Sequence, residues 1–224
     1  MIKMNEKESM QEASYWIPKT GLGKDVFSGK ITTIDEIFNA GKKIKEPEIV
    51  DALLKNLKSE LIYIGGSPGK GGGIKRTSTQ RTARMHRSGR RYKISALVVV
   101  GNKDGYLGVG IGNAKEHRNA IEKATSNAKL NIITVLRGCG SWECACEEKH
   151  SIQRQTKGKA GSISVVLKPA PKGIGLCCSD EIKKLLILAG IKDIWTKTYG
   201  ETRTRRNLIL ATFNAFKRLN KMKI

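Results

Sequence analysis

The chain has 224 residues, with 42 Lys or Arg against 20 Asp or Glu, and its formal net charge is +22. Such an excess opposes compaction unless an anion neutralises it, so nucleic acid is the first partner to consider and an anionic membrane the second. A membrane partner is disfavoured because no apolar run approaches the roughly 20 residues of a spanning helix, and the N-terminus MIKMNEKESMQ lacks the apolar core of a signal peptide. We therefore expect a soluble, cytoplasmic protein.

Residues 1–56 predict an N-terminal extension with short helices. A polar lead-in, WIPKTGLGKDVFSGKI, precedes the segments TIDEIFNAGKKI and EPEIVDALLKNL. Thr33 can cap the first helix, and Pro47 can begin the second. Apolar residues recur at helical spacing in the second segment, at Ile49, Leu53, Leu54 and Leu57. Helices this short must dock on another surface to be stable.

The segment GGSPGKGGGIKRTSTQ, at 65–80, is dense in Gly and Pro. Because this density disfavours any regular element, we predict a flexible basic loop that is ordered only by contact. Lys70, Lys75 and Arg76 supply its charge and are candidate RNA-binding residues.

From Arg81 onward the pattern is that of strands. RTARMH and YKISALVVVG flank HRSGRR as the arms of a hairpin, and NKDG predicts a second tight turn before YLGVGIG. The segment NAKEHRNAIEKATSNAKLNI then predicts a helix. Its apolar face holds Ala114, Ile121, Ala124 and Ala128, and its outer face holds Lys115, Arg118, Lys123 and Lys129. We therefore predict a two-layer β-β-β-α domain at 57–133, whose small residues let the helix lie close to the sheet.

A Cys-rich linker at 134–149 precedes a second α/β domain at 150–220 and a basic tail at 221–224. HSIQRQT and SISVVLKPA predict paired strands, PKGIGLCC a loop, and IKDIWTKTYG a strand or loop. Ser179 and Gly190 mark the ends of a helix in SDEIKKLLILAG, and TRRNLILATFNAFKRL predicts the last helix. The last helix offers Leu208, Ala211, Phe213, Ala215, Phe216 and Leu219 to the core. The predicted fold class is α+β.

Positive charge is concentrated around the first hairpin. No Asp or Glu occurs between Glu60 and Asp104. Arginine grips phosphate oxygens through two parallel hydrogen bonds, and a glycine in the turn can adopt a positive φ. The alternative is a solvated basic face without a ligand, but a long run on a turn, free of acids, favours RNA contact. The candidate RNA-binding residues here are Arg81, Arg84, Arg87, Ser88, Gly89, Arg90, Arg91 and Lys93.

Two further basic clusters are candidates for the same contact. Lys168 and Lys172 lie in KPAPKG, and Arg203, Arg205 and Arg206 lie near the start of the last helix, where backbone N–H groups also attract anions. The alternative is that these charges only solubilise the chain. The low aromatic content indicates folded RNA rather than single strands, because readers of single strands stack bases on exposed rings.

The five cysteines are an odd number in a chain without an export signal, which argues against a disulfide framework. Cys139, Cys144, Cys146 and His150 lie within a dozen residues, enough soft ligands for a tetrahedral zinc site. A lone Cys-x-Cys lacks the paired knuckles of common zinc sites, so both zinc and reduced thiols stay open. Packing, not ligation, is the interpretation for the adjacent pair Cys177 and Cys178.

No enzyme signature is complete, so we expect neither catalysis nor a small-molecule substrate. The phosphate-binding loop pattern needs Gly where Ile64 stands and Ser or Thr where Gly71 stands. The dinucleotide pattern needs a third Gly at Lys115, and tight strand packing explains the glycines of GVGIG better. A zinc-stabilised RNA-binding module is the remaining alternative from another class.

Several separate segments carry a resemblance to a known family. GRRYKISALVVVGNKDGYLGVGIGNAKEHRNAIEKATSNAKLNI, VLKPAPKGIG, LLILAGIKDIWTKTYG and ATFNAFKRL resemble, in order, the ribosomal protein family numbered five in the small subunit. IKEPEIVDALL and RGCGSWECAC resemble its archaeal branch. The resemblance implies a double-stranded-RNA-binding-like domain, a second α/β domain and small-subunit ribosomal RNA as partner. It also implies contact with the neighbouring protein numbered four, a place near the messenger RNA entry channel and a role in decoding accuracy.

The resemblance also implies a role for the hairpin tip. Arg87, Ser88, Gly89 and Arg90 match the family's pattern of basic residue, small residue, Gly and Arg in the loop that touches the head of the subunit. The segment GGSPGKGGGIKRTSTQ is an insertion relative to bacterial members. It leaves open where the first strand begins and whether the insertion contacts RNA itself.

Overall fold

The computed structural model describes residues 16–68, 71, 73–144, 146 and 148–221. The helices are α1 Gly21–Phe27, α2 Ile34–Asn39, α3 Pro47–Leu53, α4 His117–Leu130, α5 Asp180–Ala189 and α6 Arg205–Lys221. Strands of the first half are β1 Lys58–Leu61, β2 Gly65–Pro68, β3 Ile74–Thr77, β4 Thr79–His86, β5 Gly89–Gly101, β6 Tyr106–Ala114 and β7 Ile132–Thr134. The second half contains β8 Arg137–Gly138, β9 Ser151–Ile152, β10 Thr156–Ala160, β11 Ile163–Pro169, β12 Leu176–Cys177 and β13 Ile194–Tyr199.

Two compact units divide between Leu57 and Lys58. The finer domain bounds that we expect from the sequence, at 57–133, 134–149 and 150–220, stay predictions. None of the helices among the described residues is long and apolar enough to cross a membrane.

The described residues of the N-terminal unit, 16–57, form α1, α2 and α3. Helix α1 lies in the segment predicted as a polar lead-in, and Thr20 caps it by accepting a hydrogen bond from the N–H of Gly23 at 3.1 Å. Pro47 begins α3 as predicted. Thr33 is the N-cap residue of α2, but its hydroxyl donates to the Glu36 carboxylate instead of capping a backbone N–H. The carboxylate of Glu46 accepts hydrogen bonds from three groups of the segment before α1: Trp16 Nε1, Lys19 N and Thr20 N.

The predicted flexible loop at 65–80 contains a hairpin, so that prediction is wrong for most of the segment. Strands β2 and β3 pair antiparallel, with Gly65 opposite Thr77. A Cβ on Gly65 would lie 2.1 Å from the carbonyl oxygen of Thr79, and one on Gly66 would lie 2.8 Å from Cγ2 of Ile74. These glycines therefore permit close strand packing. From composition alone, the same glycines indicate a flexible segment.

The first sheet has the strand order β1-β5-β6-β7, with β4 also paired to β5, and every pairing is antiparallel. This confirms the predicted hairpin and the turn NKDG, which joins β5 to β6. Residues 96–101 of β5 are all buried although neighbouring side chains point to opposite faces. The run is continuously apolar because both faces of the sheet are covered.

Helix α4 packs closely on one face of the first sheet, because small residues of the helix and of β6 meet at the contact. A Cβ on Gly110 would lie 2.2 Å from both the carbonyl oxygen of Ala124 and the nitrogen of Ala128. Gly108 and Gly112 face Ala128 and Ala120 in the same way. The glycines of YLGVGIG thus serve helix packing and not strand packing, contrary to our interpretation of the sequence. The predicted helix face is also corrected, because α4 begins at His117: the buried stripe is Ala120, Ala124 and Ala128, and Ala114 lies in β6.

The opposite face of the sheet joins a core shared with the second half of the chain. Leu97 and Val109 of the first sheet belong to one apolar cluster with Leu167, Leu186 and Phe216. The six apolar residues that the sequence assigns to the buried face of the last helix are all buried in α6. The helices α5 and α6 therefore pack against both sheets and join them in one core.

The second sheet has the order β10-β11-β13-β12, and only β12 and β13 run parallel within it. A short strand, β12, lies in the predicted loop PKGIGLCC. The predicted pairing of HSIQRQT with SISVVLKPA is wrong, because β9 pairs with β8 and it is β10 that pairs with β11. Gly190 ends α5 with φ 78°, as predicted, whereas Ser179 precedes α5 without a side-chain capping bond.

Candidate nucleic-acid interface

The distal half of the β4–β5 hairpin extends beyond the core. Every residue from Gln80 to Lys93 is exposed, and the first buried position on the return strand is Ile94. An isolated two-stranded ribbon is marginally stable in water, because it has no apolar face to bury. A ribbon of this kind is suited to a partner that surrounds it.

Strand alternation divides the side chains of this ribbon between two faces. Thr82, Arg84 and His86 of β4 pair with Lys93, Arg91 and Gly89 of β5, so these residues share one face. The other face holds Arg81, Ala83, Met85, Arg90 and Tyr92. Both faces are basic, which agrees with the clustering of candidate residues in the sequence.

Arg84 lies directly opposite Arg91 in the antiparallel register. Like charges in this position destabilise a sheet, by the same few tenths of a kcal/mol up to ~1 kcal/mol that opposite charges contribute. The hairpin itself supplies no carboxylate to relieve the repulsion, because the sequence has no Asp or Glu between Glu60 and Asp104. An anion placed between the two guanidinium groups would relieve this repulsion.

The opposite face combines charge with apolar surface. The guanidinium carbon of Arg81 lies 3.6 Å from the centroid of the Tyr92 ring, a cation–π contact across the strands. Met85 is 72% exposed at the neighbouring position. This surface can lie against the sugar and base edges of a folded nucleic acid as well as its phosphates.

Arg87 and Ser88 form the hairpin turn, and Gly89 follows with φ 102°. This backbone conformation favours glycine, as the sequence predicts. The Ser88 hydroxyl accepts a hydrogen bond from Arg91 Nη2 at 3.0 Å. The turn therefore holds Arg91 while the side chain of Arg87 stays exposed at the tip.

A groove of about 1260 Å³ lies between the hairpin and the N-terminal half of α4. Its cations outnumber its two carboxylates, Glu116 and Glu122. The sequence predicted Lys115 and Lys123 only as outward-facing helix residues. The signal that could have placed them in the groove is that they follow the third strand, which pairs with the hairpin. The cationic residues that line the groove are Arg84, Arg91, Lys93, Lys115, Lys123 and Arg206.

The three candidates near the start of α6 differ in their surroundings. Arg206 is exposed and lines the groove. Arg205 is half-buried, where it forms an ion pair with the buried Glu181 and donates a hydrogen bond to the carbonyl oxygen of Tyr63 at 3.1 Å. The charge of Arg205 is therefore balanced within the protein. Arg203 is exposed beside Glu201.

The remaining candidates lie outside the groove. Lys172 forms an exposed ion pair with Glu148 at 2.7 Å, and this hydrogen bond raises the pKa of Lys172 and lowers the pKa of Glu148. Lys168, Lys75 and Arg76 are exposed on strands β11 and β3. Lys70 lies outside the described residues.

The four predicted metal ligands are brought together. The ligand atoms of Cys139, Cys144, Cys146 and His150 all lie within 4.8 Å of one another. Cys144 and Cys146 have their Sγ atoms 3.0 Å apart. That contact, with the backbone N–H of Lys172, lowers the pKa of Cys144 to about 6, and it raises the pKa of Cys146 to about 11.

The other two cysteines do not join this cluster. Cys177 is exposed, and Cys178 packs against the core, where burial raises the pKa of its thiol to about 11. The packing interpretation therefore fits Cys178 only.

An exposed hairpin of arginines beside a cationic groove is the kind of surface that nucleic-acid-binding proteins present to phosphates. Residues 75–136 match the family model described as Ribosomal protein S5, N-terminal domain, and residues 158–223 match Ribosomal protein S5, C-terminal domain. The chain is 52% identical over 209 residues to small ribosomal subunit protein uS5 of Pyrobaculum calidifontis, covering 93% of this chain and 96% of the relative. It is 49% identical over 213 residues to the uS5 protein of Methanocorpusculum labreanum, covering 95% and 97%.

The chain therefore belongs to the ribosomal protein S5 family and is of its archaeal type. The resemblance noted in the sequence is confirmed, and so is the α+β fold class. The RNA-binding residues stay predictions.

Proposed function

We propose that this chain is a structural constituent of the small ribosomal subunit in the cytoplasm and binds small-subunit ribosomal RNA. The observation that carries the proposal is the exposed ribbon from Gln80 to Lys93, which is basic on both faces and contains no carboxylate. The names of its relatives support the small subunit as the site of assembly. The role is one of holding surfaces in register and needs no catalytic group.

Folded RNA is the partner that fits this surface. A phosphate between Arg84 and Arg91 would relieve their repulsion, and the groove offers further cations to the same strand of RNA. We assign residues 57–133 to a double-stranded-RNA-binding-like fold, in which shape and phosphates are read rather than base sequence. The sheet with α4 on one face supports this assignment.

The finer role concerns decoding. In this proposal the tip at Arg87 and Arg90 contacts the head of the subunit, while the C-terminal part lies on the body beside the protein numbered four. The two contacts limit movement of head against body during tRNA selection, near the messenger RNA entry channel. The chain thereby contributes to the accuracy of translation.

The tip gives the test of this role. In cells whose only copy carries Arg87→Glu and Arg90→Glu, we expect small subunits to assemble and retain the protein through a high-salt wash. Stop-codon readthrough in a reporter should change several-fold, because reversed charge at the tip repels phosphate. The measurements are sedimentation of the protein with the subunit and reporter readthrough in the same strain.

A matched double change, Arg154→Glu with Lys159→Glu, reverses the same charge at exposed positions outside the hairpin and groove. It should leave readthrough near the wild-type value. Unchanged readthrough and unchanged subunit yield in the tip variant would contradict the role in accuracy. Wild-type protein that sediments free of the subunit would contradict the ribosomal assignment and favour an RNA-binding module outside the ribosome.

A further inference from the structure

A loop of twelve residues, 139–150, connects β8 to β9 with no regular secondary structure among its described residues. Its base is closed by the short β8–β9 ladder, in which Arg137 pairs with Ile152 and Gly138 with Ser151. Two backbone hydrogen bonds lie among its described residues, from Cys144 N to the carbonyl oxygen of Ser141 at 3.4 Å and from His150 N to the carbonyl oxygen of Glu148 at 3.0 Å. The side chains of the loop must therefore supply most of its order.

The inward side of this loop is made of soft ligands. Three cysteine sulfurs and Nε2 of His150 lie within 4.8 Å of one another, and Cys144 Sγ is 3.9 Å from that nitrogen. In a tetrahedral site with Zn–S bonds of about 2.3 Å, ligand atoms lie roughly 3.5 to 4 Å apart. The observed separations bracket this range: 3.0 Å between the sulfurs of Cys144 and Cys146, 3.9 Å from Cys144 to His150, and at most 4.8 Å within the whole set. The three cysteines are half-buried and His150 is 2% exposed, so the site is sheltered yet reachable.

The buried imidazole is oriented towards the sulfurs by a carboxylate. His150 Nδ1 lies 2.9 Å from Oδ2 of Asp193, and the second oxygen of Asp193 accepts hydrogen bonds from the N–H groups of Gly173 and Gly175. Because Nδ1 is engaged with the carboxylate, the lone pair of a neutral imidazole is left on Nε2, facing the cysteines. Histidines that bind zinc are held by carboxylates in this way.

We propose that Cys139, Cys144, Cys146 and His150 bind one Zn²⁺ ion in a structural site. Four protein ligands leave no position for water or substrate, which distinguishes the site from a catalytic one. Thiolate and imidazole donors select zinc over magnesium or calcium, which prefer oxygen.

The site has a mechanical consequence. The carbonyl oxygen of His150 accepts hydrogen bonds from the N–H groups of Lys192 and Asp193, just after α5. At Gly190, in the same turn, a Cβ would lie 2.1 Å from the carbonyl oxygen of Lys103, in the loop between β5 and β6. Zinc would thus fasten the loop to the turn that links both sheets.

Metal content of the purified full-length chain tests the proposal. We expect about one zinc per chain, and cobalt added to the metal-free protein should give the intense visible absorption of a tetrahedral thiolate complex. Cys144→Ser should abolish both signals. Asp193→Asn should weaken zinc binding by about 10- to 100-fold, because it removes the carboxylate that orients His150.

Cys177→Ser is the matched control, since Cys177 is an exposed cysteine outside the cluster. This variant should bind zinc like the wild type. A chelator should lower the thermal midpoints of the variant and of the wild type by the same amount. The proposal would be overturned by wild-type protein that gives no tetrahedral cobalt spectrum, or by equal zinc content in the wild type and Cys144→Ser. The cobalt titration of the wild type decides the matter even if Cys144→Ser fails to fold.

Discussion

Gly110→Ala is expected to destabilise the protein by about 3 kcal/mol, at the upper end for a small-to-large change in a packed interior. Its new Cβ would lie 2.2 Å from the backbone of α4 at both Ala124 and Ala128. Backbone atoms of a helix cannot rotate out of the way, so α4 must move off the sheet. At about 2 to 4 °C per kcal/mol for a chain of this size, the thermal midpoint should fall by roughly 6 to 12 °C.

Gly73→Ala is the matched control for this change. Gly73 has no positive φ, and a Cβ there would meet nothing within 4 Å. Alanine at this position should leave the midpoint unchanged or raise it slightly, because it restricts the unfolded chain. Equal midpoints for the two variants in thermal unfolding followed by circular dichroism would contradict the close packing of α4.

Arg84→Glu is expected to weaken binding to small-subunit ribosomal RNA by about 10- to 100-fold at low salt while leaving the free protein as stable as the wild type or slightly more stable. The carboxylate would stand opposite Arg91, which replaces repulsion by an attraction of about 0.2 to 1 kcal/mol. In the complex the same carboxylate repels phosphate. The slope of the logarithm of the binding constant against the logarithm of salt concentration should become shallower by about the contribution of one phosphate contact.

Arg154→Glu provides the comparison, since it changes the same charge at an exposed arginine outside the hairpin and the groove. It should weaken binding only slightly. The measurement is a filter-binding titration at several salt concentrations, together with the thermal midpoint of each variant. Equal losses of affinity would mean that the hairpin is only part of a diffuse basic surface.

The hairpin and its turn were predictable from the sequence, because the signals lie close together along the chain. Period-two alternation, the acid-free stretch and the glycine at position 89 are all local, and the structure places strands β4 and β5 there. The ends of α5 and the buried face of α6 followed from capping residues and helical spacing in the same way. The cysteine cluster was also visible, because its four ligands lie within a dozen residues.

The contacts that the sequence did not reveal join residues far apart in the chain. The glycines of β6 repeat every second residue and the alanines of α4 every fourth, and only packing shows that one set serves the other. Arg205 was read as an RNA ligand because its partner, Glu181, lies 24 residues away. Asp193, which holds His150, lies 43 residues from it and gave no local signal.

The central claim is that the hairpin contacts ribosomal RNA inside the small subunit. The most direct test places a photo-crosslinking amino acid at Met85, an exposed position near the tip, and irradiates small subunits purified through a high-salt wash. We expect crosslinks from this position to small-subunit ribosomal RNA. Subunits that retain the protein but yield no RNA crosslink from position 85 would contradict the claim.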